Sequence, residues 1–262
     1  MGSLHEGHLS LIDRAREAVG PKGVVTVTIY VNPTQFGPNE DWSRYPRQLE
    51  EDCRLCQNRG ADTVFAPTDA EIYPGDLDRA PASTFVEETA LGHAMEGASR
   101  PTHFRGVTTV VAKLFNLTQP DVAVFGEKDF QQLAIIRRMT RDLHFPIQIL
   151  GAATMRETDG LAMSSRNRYL SQEERAQAPT LYQALLSCRQ QVAASTGPVD
   201  FALLESNARE QLRSGAPLGR LDYLTAFDPD SLRPTATVSP SDRVAIAVHF
   251  GGARLIDNLS MS

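Results

Sequence analysis

Residues 122–151 read VAVFGEKDFQQLAIIRRMTRDLHFPIQILG, and this stretch decides the fold. Val122-Ala123-Val124-Phe125 is a short apolar run stopped by Gly126, the pattern of a buried strand. Residues 129–143 carry their apolar side chains on a helical period. Ile147-Gln148-Ile149-Leu150 is a second apolar run, ended by Gly151. A strand, a helix and a strand in this order predict an α/β domain with a parallel sheet.

The same alternation extends upstream. Residues 8–19 (HLSLIDRAREAV) place Leu9, Leu11, Ile12 and Ala15 on a helical period, and Gly20-Pro21-Lys22-Gly23 breaks the helix. The β-branched run Val24–Val31 predicts a strand buried on both faces, closed by Asn32-Pro33. A helix over 46–58, a strand over 62–66 and a buried helix over 105–117 complete the series. Downstream the pattern changes. Ser171-Gln172-Glu173-Glu174 is a helix start of capping-box type. Helices over 171–194 and 199–213 follow, then three strand-like runs at 221–226, 244–248 and 254–257. The expected division is an α/β domain over 1–165 and a small α+β domain over 166–262.

Composition bounds the function. The chain has 262 residues, 41% of them apolar, and a formal net charge of −6. An acidic chain is a poor match for nucleic acid, whose phosphates select basic faces. No apolar run approaches the length of a transmembrane helix, so no membrane partner is expected. The cysteines Cys53, Cys56 and Cys188 are too few for a disulfide framework, which fits a reducing cytoplasm. Cys53-x-x-Cys56 has no second pair to complete a zinc site and reads as two packed thiols.

Three constellations carry chemistry. His5-Glu6-Gly7-His8 opens the first helix. Its i, i+3 spacing is not the i, i+4 arrangement of a zinc-protease helix. It suits a polyphosphate: Gly7 lets the backbone approach, the helix N-terminus supplies unpaired N–H groups, and two imidazoles can donate. Gly126-Glu127-Lys128-Asp129 follows a buried strand, where open α/β sheets bind ligands. There Lys128 is a point charge for phosphate, and Glu127 and Asp129 can reach a metal or a ribose. Met163-Ser164-Ser165-Arg166 offers two hydroxyls and a guanidinium at the expected domain boundary, where lids form. Each stretch alone also reads as an ordinary solvated turn or linker. Together an HxGH helix start and a Ser-Ser-basic loop form the two-part signature of the nucleotidylyltransferase superfamily.

The stretches MGSLHEGHLSLI, VNPTQFGPNEDWSRYPR, FRGVTTVVAKLFNLTQPDVAVFGEKDFQQL and DGLAMSSRNRYLS occur in order along nearly the whole chain. They resemble the pantothenate synthetase (pantoate–β-alanine ligase) family. The resemblance implies a Rossmann-like first domain, a small lid domain, ATP as substrate with Mg²⁺, and a homodimer. It implies adenylation of pantoate followed by capture of the acyl group by β-alanine. His8 becomes the catalytic histidine. Met1, Gly2, Ser3, Leu4, His5, Glu6 and Gly7 join it in lining the ATP site, with Gly126, Glu127, Lys128 and Asp129. Met155 would contact adenine, and Met163, Ser164, Ser165 and Arg166 would close over the triphosphate. Gln35 and Gln132 would hold pantoate, and Gln35 also β-alanine. His103-Phe104-Arg105-Gly106 is assigned structure first and chemistry second. Tyr45 and the pair Glu51-Asp52 match a helix that in the family lies near the dimer contact and pantoate pocket. In the family, a helix and a central first strand precede the position of Met1, and without that strand its neighbours would keep unpaired edges. Two rival readings are a related HxGH enzyme acting on a phosphorylated acceptor, and a non-catalytic nucleotide binder or inactive truncated product. A phosphorylated acceptor would call for Arg or Lys where Gln35 and Gln132 stand.

Overall fold

The computed structural model describes residues 2–37, 40–74 and 83–262. The chain divides into two compact units. The first comprises residues 1–127 and 131–152, and the second residues 128–130 and 153–262.

The first unit opens with α1 (Glu6–Val19), which buries Leu9 and Ile12 and ends at Gly20, whose φ of +71° suits a glycine. Strand β1 (Thr26–Thr28) pairs in parallel with β2 (Thr63–Phe65). Between them lie a 3₁₀ turn (Pro33–Gln35) and α2 (Leu49–Asn58). The short helices α3 (Asp69–Ile72) and α4 (Glu96–Ser99) lead to α5 (His103–Thr118), which is buried over most of its surface. Strand β3 (Val122–Gly126) pairs in parallel with β4 (Gln148–Ala152) across α6 (Phe130–Asp142). The βαβ unit read from 122–151 is therefore present.

The 24–31 run differs from its reading. Only Thr26–Thr28 forms a ladder, and burial alternates: Val25, Val27 and Ile29 are buried, whereas Val24 is 70% exposed. A one-sided strand needs only one apolar face, and here that face meets Leu4, Leu9, Ile12 and Cys56. The parallel pairing falls into two separate two-stranded ladders, with no strand joining them among the described residues.

The second unit holds a tight β-bridge, Arg156 to Ala162, around Gly160. A 3₁₀ turn (Ser165–Tyr169) and α7 (Gln172–Gln177) follow, then α8 (Thr180–Ala194). The single helix expected over 171–194 breaks at Ala178-Pro179, since proline has no N–H with which to continue the ladder. Val199-Asp200 is a strand residue pair, β5, before α9 (Phe201–Gly215), which Asp200 caps by accepting the Ala202 N–H at 2.9 Å. The antiparallel sheet has the order β6 (Gly219–Phe227), β8 (Arg243–Phe250), β9 (Ala253–Ser260), and the short β7 (Thr237–Val238) pairs with β5. Its core joins Leu181, Leu185 and Cys188 of α8, Leu204 and Leu212 of α9, and Val244, Ile246 and Val248 of β8. Each such buried Leu or Ile is worth about 1.5–3 kcal/mol, enough in sum to give this unit a core of its own.

Residues 153–165, ahead of the division expected at 166, group with the second unit. The reason is local. Arg156 pairs bidentately with the buried carboxylate of Asp257 on β9, at 2.6 and 3.0 Å, and its guanidinium lies 3.8 Å over the Tyr182 ring of α8. These bonds fasten the segment before 166 to the antiparallel sheet.

Candidate active site

In the first unit, the HEGH turn is built by its own backbone. His5 is the N-cap of α1, and its Nδ1 accepts the Gly7 N–H at 3.2 Å. His8 Nδ1 accepts the His5 N–H at 3.3 Å. The two rings lie 4.0 Å apart. The pair forms a capping box in which imidazoles replace the usual hydroxyl and carboxylate. The chemical consequence is definite. A ring nitrogen that accepts carries no proton, so both neutral imidazoles hold theirs on Nε2. The helix start thus pairs two Nε2–H donors with the positive end of the helix dipole.

The segment ahead of the turn is pinned from α2. The Asp52 carboxylate, 1% exposed, accepts the Ser3 N–H at 2.8 Å and the Leu4 N–H at 2.7 Å. Ser3 holds a φ of +54°, a strained value for a residue with a side chain. Gly2 lies against Val31, where a Cβ would come within 3.1 Å of the valine methyl. Glu51, the neighbour of Asp52, turns outward onto Arg54. Of the acidic pair singled out in the sequence, Asp52 is the buried one. Met1 falls outside the described residues.

Gln35 ends the 3₁₀ turn after β1, and three groups hold it. Its side-chain Oε1 accepts from Asn32 Nδ2 at 3.3 Å. Its carbonyl oxygen accepts from His103 Nδ1 at 3.0 Å and from Arg100 Nη2 at 3.3 Å. Arg100 Nη1 lies 3.1 Å from His103 Nε2, and arginine can only donate, so His103 is the neutral Nδ1–H tautomer. Burial and the Arg100 charge push its pKa down to about 4. Arg100 is itself held by Glu40, at 2.7 and 2.5 Å. His103 therefore serves structure first: it fixes the backbone of the candidate pantoate residue. On α6 the two glutamines of FQQL divide their tasks. Gln131 is buried and bonds Leu91, Ala94 and Glu96 of the preceding segment. Gln132 is half-buried, and its side chain bonds to none of the described residues. Gly126 and Glu127 close the first unit at the end of β3, against which α1 lies.

The second unit carries the remaining candidates. Lys128 and Asp129 stand 3.9 Å apart. The Lys128 carbonyl accepts from Asn258 Nδ2 at 2.9 Å. Asn258 in turn accepts from Arg243, at 3.1 and 2.8 Å, and the Arg243 guanidinium lies 4.1 Å over Phe130. Met155 and Met163 are joined by a backbone bond of 2.9 Å, which ties the adenine candidate to the Ser-Ser loop. Ser164 Oγ caps the 3₁₀ turn by accepting the Arg166 N–H at 3.2 Å; Ser165 is buried and Arg166 half-buried. A Cβ on Gly160 would meet the Tyr182 ring at 2.4 Å, and the φ of +92° independently demands glycine.

Asn32, Asn258 and Arg243 hold candidate residues in place, directly or through one another, and the sequence reading passed over them. Asn32 stood in plain view in VNPTQF, but as the stop of a strand. Asn258 lies in a strand with no local sign that it reaches position 128. Cys53 and Cys56 lie on α2, Cys53 half-buried and Cys56 buried, and burial raises the Cys56 pKa. Among the described residues no three His, Cys, Asp or Glu side chains are grouped as a metal site.

A family model described as pantoate-beta-alanine ligase matches residues 1–260. The chain belongs to the pantoate-beta-alanine ligase family. It is 52% identical over 266 residues to the pantothenate synthetase of Nocardioides sp. strain JS614, covering 100% of this chain and 77% of that protein. It is 50% identical to that of Anaeromyxobacter dehalogenans, covering 98% and 88%. The crystal structure of pantothenate synthetase from Thermus thermophilus superposes with a TM-score of 0.91 at 50% identity, over 100% of this chain and 91% of that one. The ligase from Francisella tularensis, complexed with beta-gamma ATP and beta-alanine, superposes with a TM-score of 0.77 at 32% identity, over 100% and 87%. The α/β fold with parallel strands is that of the family. Among the described residues no helix is long and apolar enough to cross a membrane.

Proposed function

We propose that the chain joins pantoate to β-alanine at the expense of ATP, through a pantoyl adenylate. A pantoate carboxylate oxygen bonds to the α-phosphorus of ATP, the bond from that phosphorus to the bridging oxygen breaks, and pyrophosphate leaves. The free amine of β-alanine then bonds to the acyl carbon, AMP departs with the carboxyl oxygen, and the amine's proton passes to solvent. Both steps call for positioning and for positive charge more than for a covalent protein group.

The observation that carries this reading is the pair of Nε2–H donors fixed at the α1 N-terminus by the backbone bonds of His5 and His8. His8 is the catalytic donor to charge that develops on the phosphates, and His5 works beside it. Gly2 to Gly7 line the nucleotide, with Met1. Gly126, Glu127, Lys128 and Asp129 bind ATP, with Lys128 as the point charge. Met155 contacts adenine, and Met163, Ser164, Ser165 and Arg166 cover the triphosphate. Gln35 and Gln132 hold pantoate, whose hydroxyls suit amide side chains that donate and accept. Gln35 then holds β-alanine on the adenylate. Neutral amides at both positions disfavour a phosphorylated acceptor. Mg²⁺, when bound, neutralises charge on the leaving pyrophosphate. The enzyme works in the cytoplasm as a homodimer, a reading that the unpaired cysteines and the resemblance support.

The test is exchange of labelled pyrophosphate into ATP. Exchange that requires pantoate supports adenylation, and its absence from a folded sample overturns it. His8→Ala should lower the exchange rate by roughly 10²–10³-fold with the fold intact by circular dichroism, as for loss of one positioned donor. A fall of less than about threefold would remove His8 from that role.

A further inference from the structure

Tyr73 is 1% exposed, yet its hydroxyl has work to do. It donates to Asn32 Oδ1 at 2.8 Å. The Thr34 hydroxyl lies 3.0 Å from the same oxygen and 2.9 Å from the Tyr73 hydroxyl, and the Thr34 N–H reaches Asn32 Oδ1 at 3.3 Å. The other end of the Asn32 amide donates to the Gly106 carbonyl at 3.1 Å and to Gln35 Oε1 at 3.3 Å. Flipping Asn32 would set its oxygen against two oxygens, so its orientation is fixed. Asn32 is 2% exposed, which makes an unmatched flip expensive. Burial raises the Tyr73 pKa, so the phenol keeps its proton and remains a donor.

The polarity then runs one way, from Tyr73 through Asn32 to Gln35. Gln35 spends its oxygen on Asn32, which leaves its NH₂ group for a ligand. We propose that Tyr73 is a positioning residue that, through Asn32, turns the Gln35 NH₂ toward an anionic hydroxy acid, making Gln35 a donor to a substrate oxygen. The inference rests on the reading of Gln35 as a pantoate residue. It adds the direction of that hydrogen bond and the group that sets it. With the relay intact, Gln35 meets a carboxylate or hydroxyl oxygen without having to choose between two amide orientations. Without the Tyr73 hydroxyl, Asn32 Oδ1 keeps only the two Thr34 donors, and the amide that holds Gln35 Oε1 is itself held less firmly.

The test is steady-state kinetics of Tyr73→Phe, which removes one oxygen and no volume of the ring. The KM for pantoate should rise about 3- to 10-fold, the loss of one ordinary hydrogen bond, while the KM for ATP and kcat at saturating pantoate stay within about twofold. A hydroxyl that is merely structural would not split the parameters in this way. Gln35→Ala and the double variant complete a cycle. If Tyr73 acts through Gln35, the double variant has no higher pantoate KM than Gln35→Ala alone. An unchanged pantoate KM in Tyr73→Phe overturns the proposal, as does an additive double variant or a uniform loss across both substrates. If instead Gln35→Ala leaves the pantoate KM at the wild-type value, the reading of Gln35 as a pantoate residue fails, and the relay with it.

Discussion

At the scale of single residues, the candidate site is made by side chains that accept backbone N–H groups. His5 and His8 do so within the helix start, and Asp52 does so for the segment before it. Asp52 is more than a cap, because the Ser3 backbone it holds is at φ +54° and would relax if released. Asp52→Asn keeps the shape but aims an NH₂ at one of two N–H donors. The expected outcome is a loss of about 1–3 kcal/mol in urea-induced unfolding, together with a weakened KM for ATP in pyrophosphate exchange. A variant with wild-type values of both would show that the Ser3–Leu4 turn stands without this carboxylate. The sequence named Glu51 and Asp52 as a pair and could not say which turns inward. The available sign was spacing: Asp52 and Cys56 are four apart and share the buried face of α2, while Glu51 and Arg54 share the outer one.

At the scale of elements, strands and helices were legible wherever apolar period and breaker agreed. The βαβ unit over 122–151 and the antiparallel strands near the C-terminus appear close to their expected bounds. The 24–31 run misled because β-branched composition reports strand propensity, whereas the number of buried faces depends on what packs there. The close approach of α5 to the Pro33–Gln35 turn was also invisible, since nothing local marks Gly106 as a contact. A Cβ at Gly106 would stand 2.5 Å from the Thr34 carbonyl oxygen and 2.8 Å from the Gln35 Cα. Neither atom is the end of a flexible side chain, so the helix or the turn has to move. Gly106→Ala should therefore lose about 1–3 kcal/mol of stability and raise the KM for pantoate. Gly252→Ala, where a Cβ meets nothing within 4 Å, should stay within about 0.5 kcal/mol. Equal melting temperatures for the two variants would refute the close approach as the cause.

At the scale of the whole molecule, the chemistry candidates are shared between two units that each have their own core. The expected division rests on an element pattern that changes near 170. The ion pair between Arg156 and Asp257 joins residues far apart in the chain, and no local pattern announces such a bond. Global stability should also register one buried titration in the first unit. His103 is 8% exposed and faces Arg100, Glu96 and Glu40, and its pKa is lowered from 6.5 to about 4. Between those values the unfolded chain binds a proton that the folded chain does not. Stability from this group is therefore complete above about pH 6.5, falls as pH drops toward 4, and levels off below that. The full change is about 3 kcal/mol. His103→Gln keeps a donor for the Gln35 carbonyl and an acceptor for Arg100 but cannot take up the proton. Urea unfolding of both proteins at a series of pH values should give a stability difference that is constant near neutrality and shifts against the wild type between pH 6.5 and 4. Subtracting the variant removes the carboxylates that titrate in the same range. A difference that stays flat would mean that folded His103 takes up its proton as readily as the unfolded chain does, and that burial and Arg100 do not oppose it.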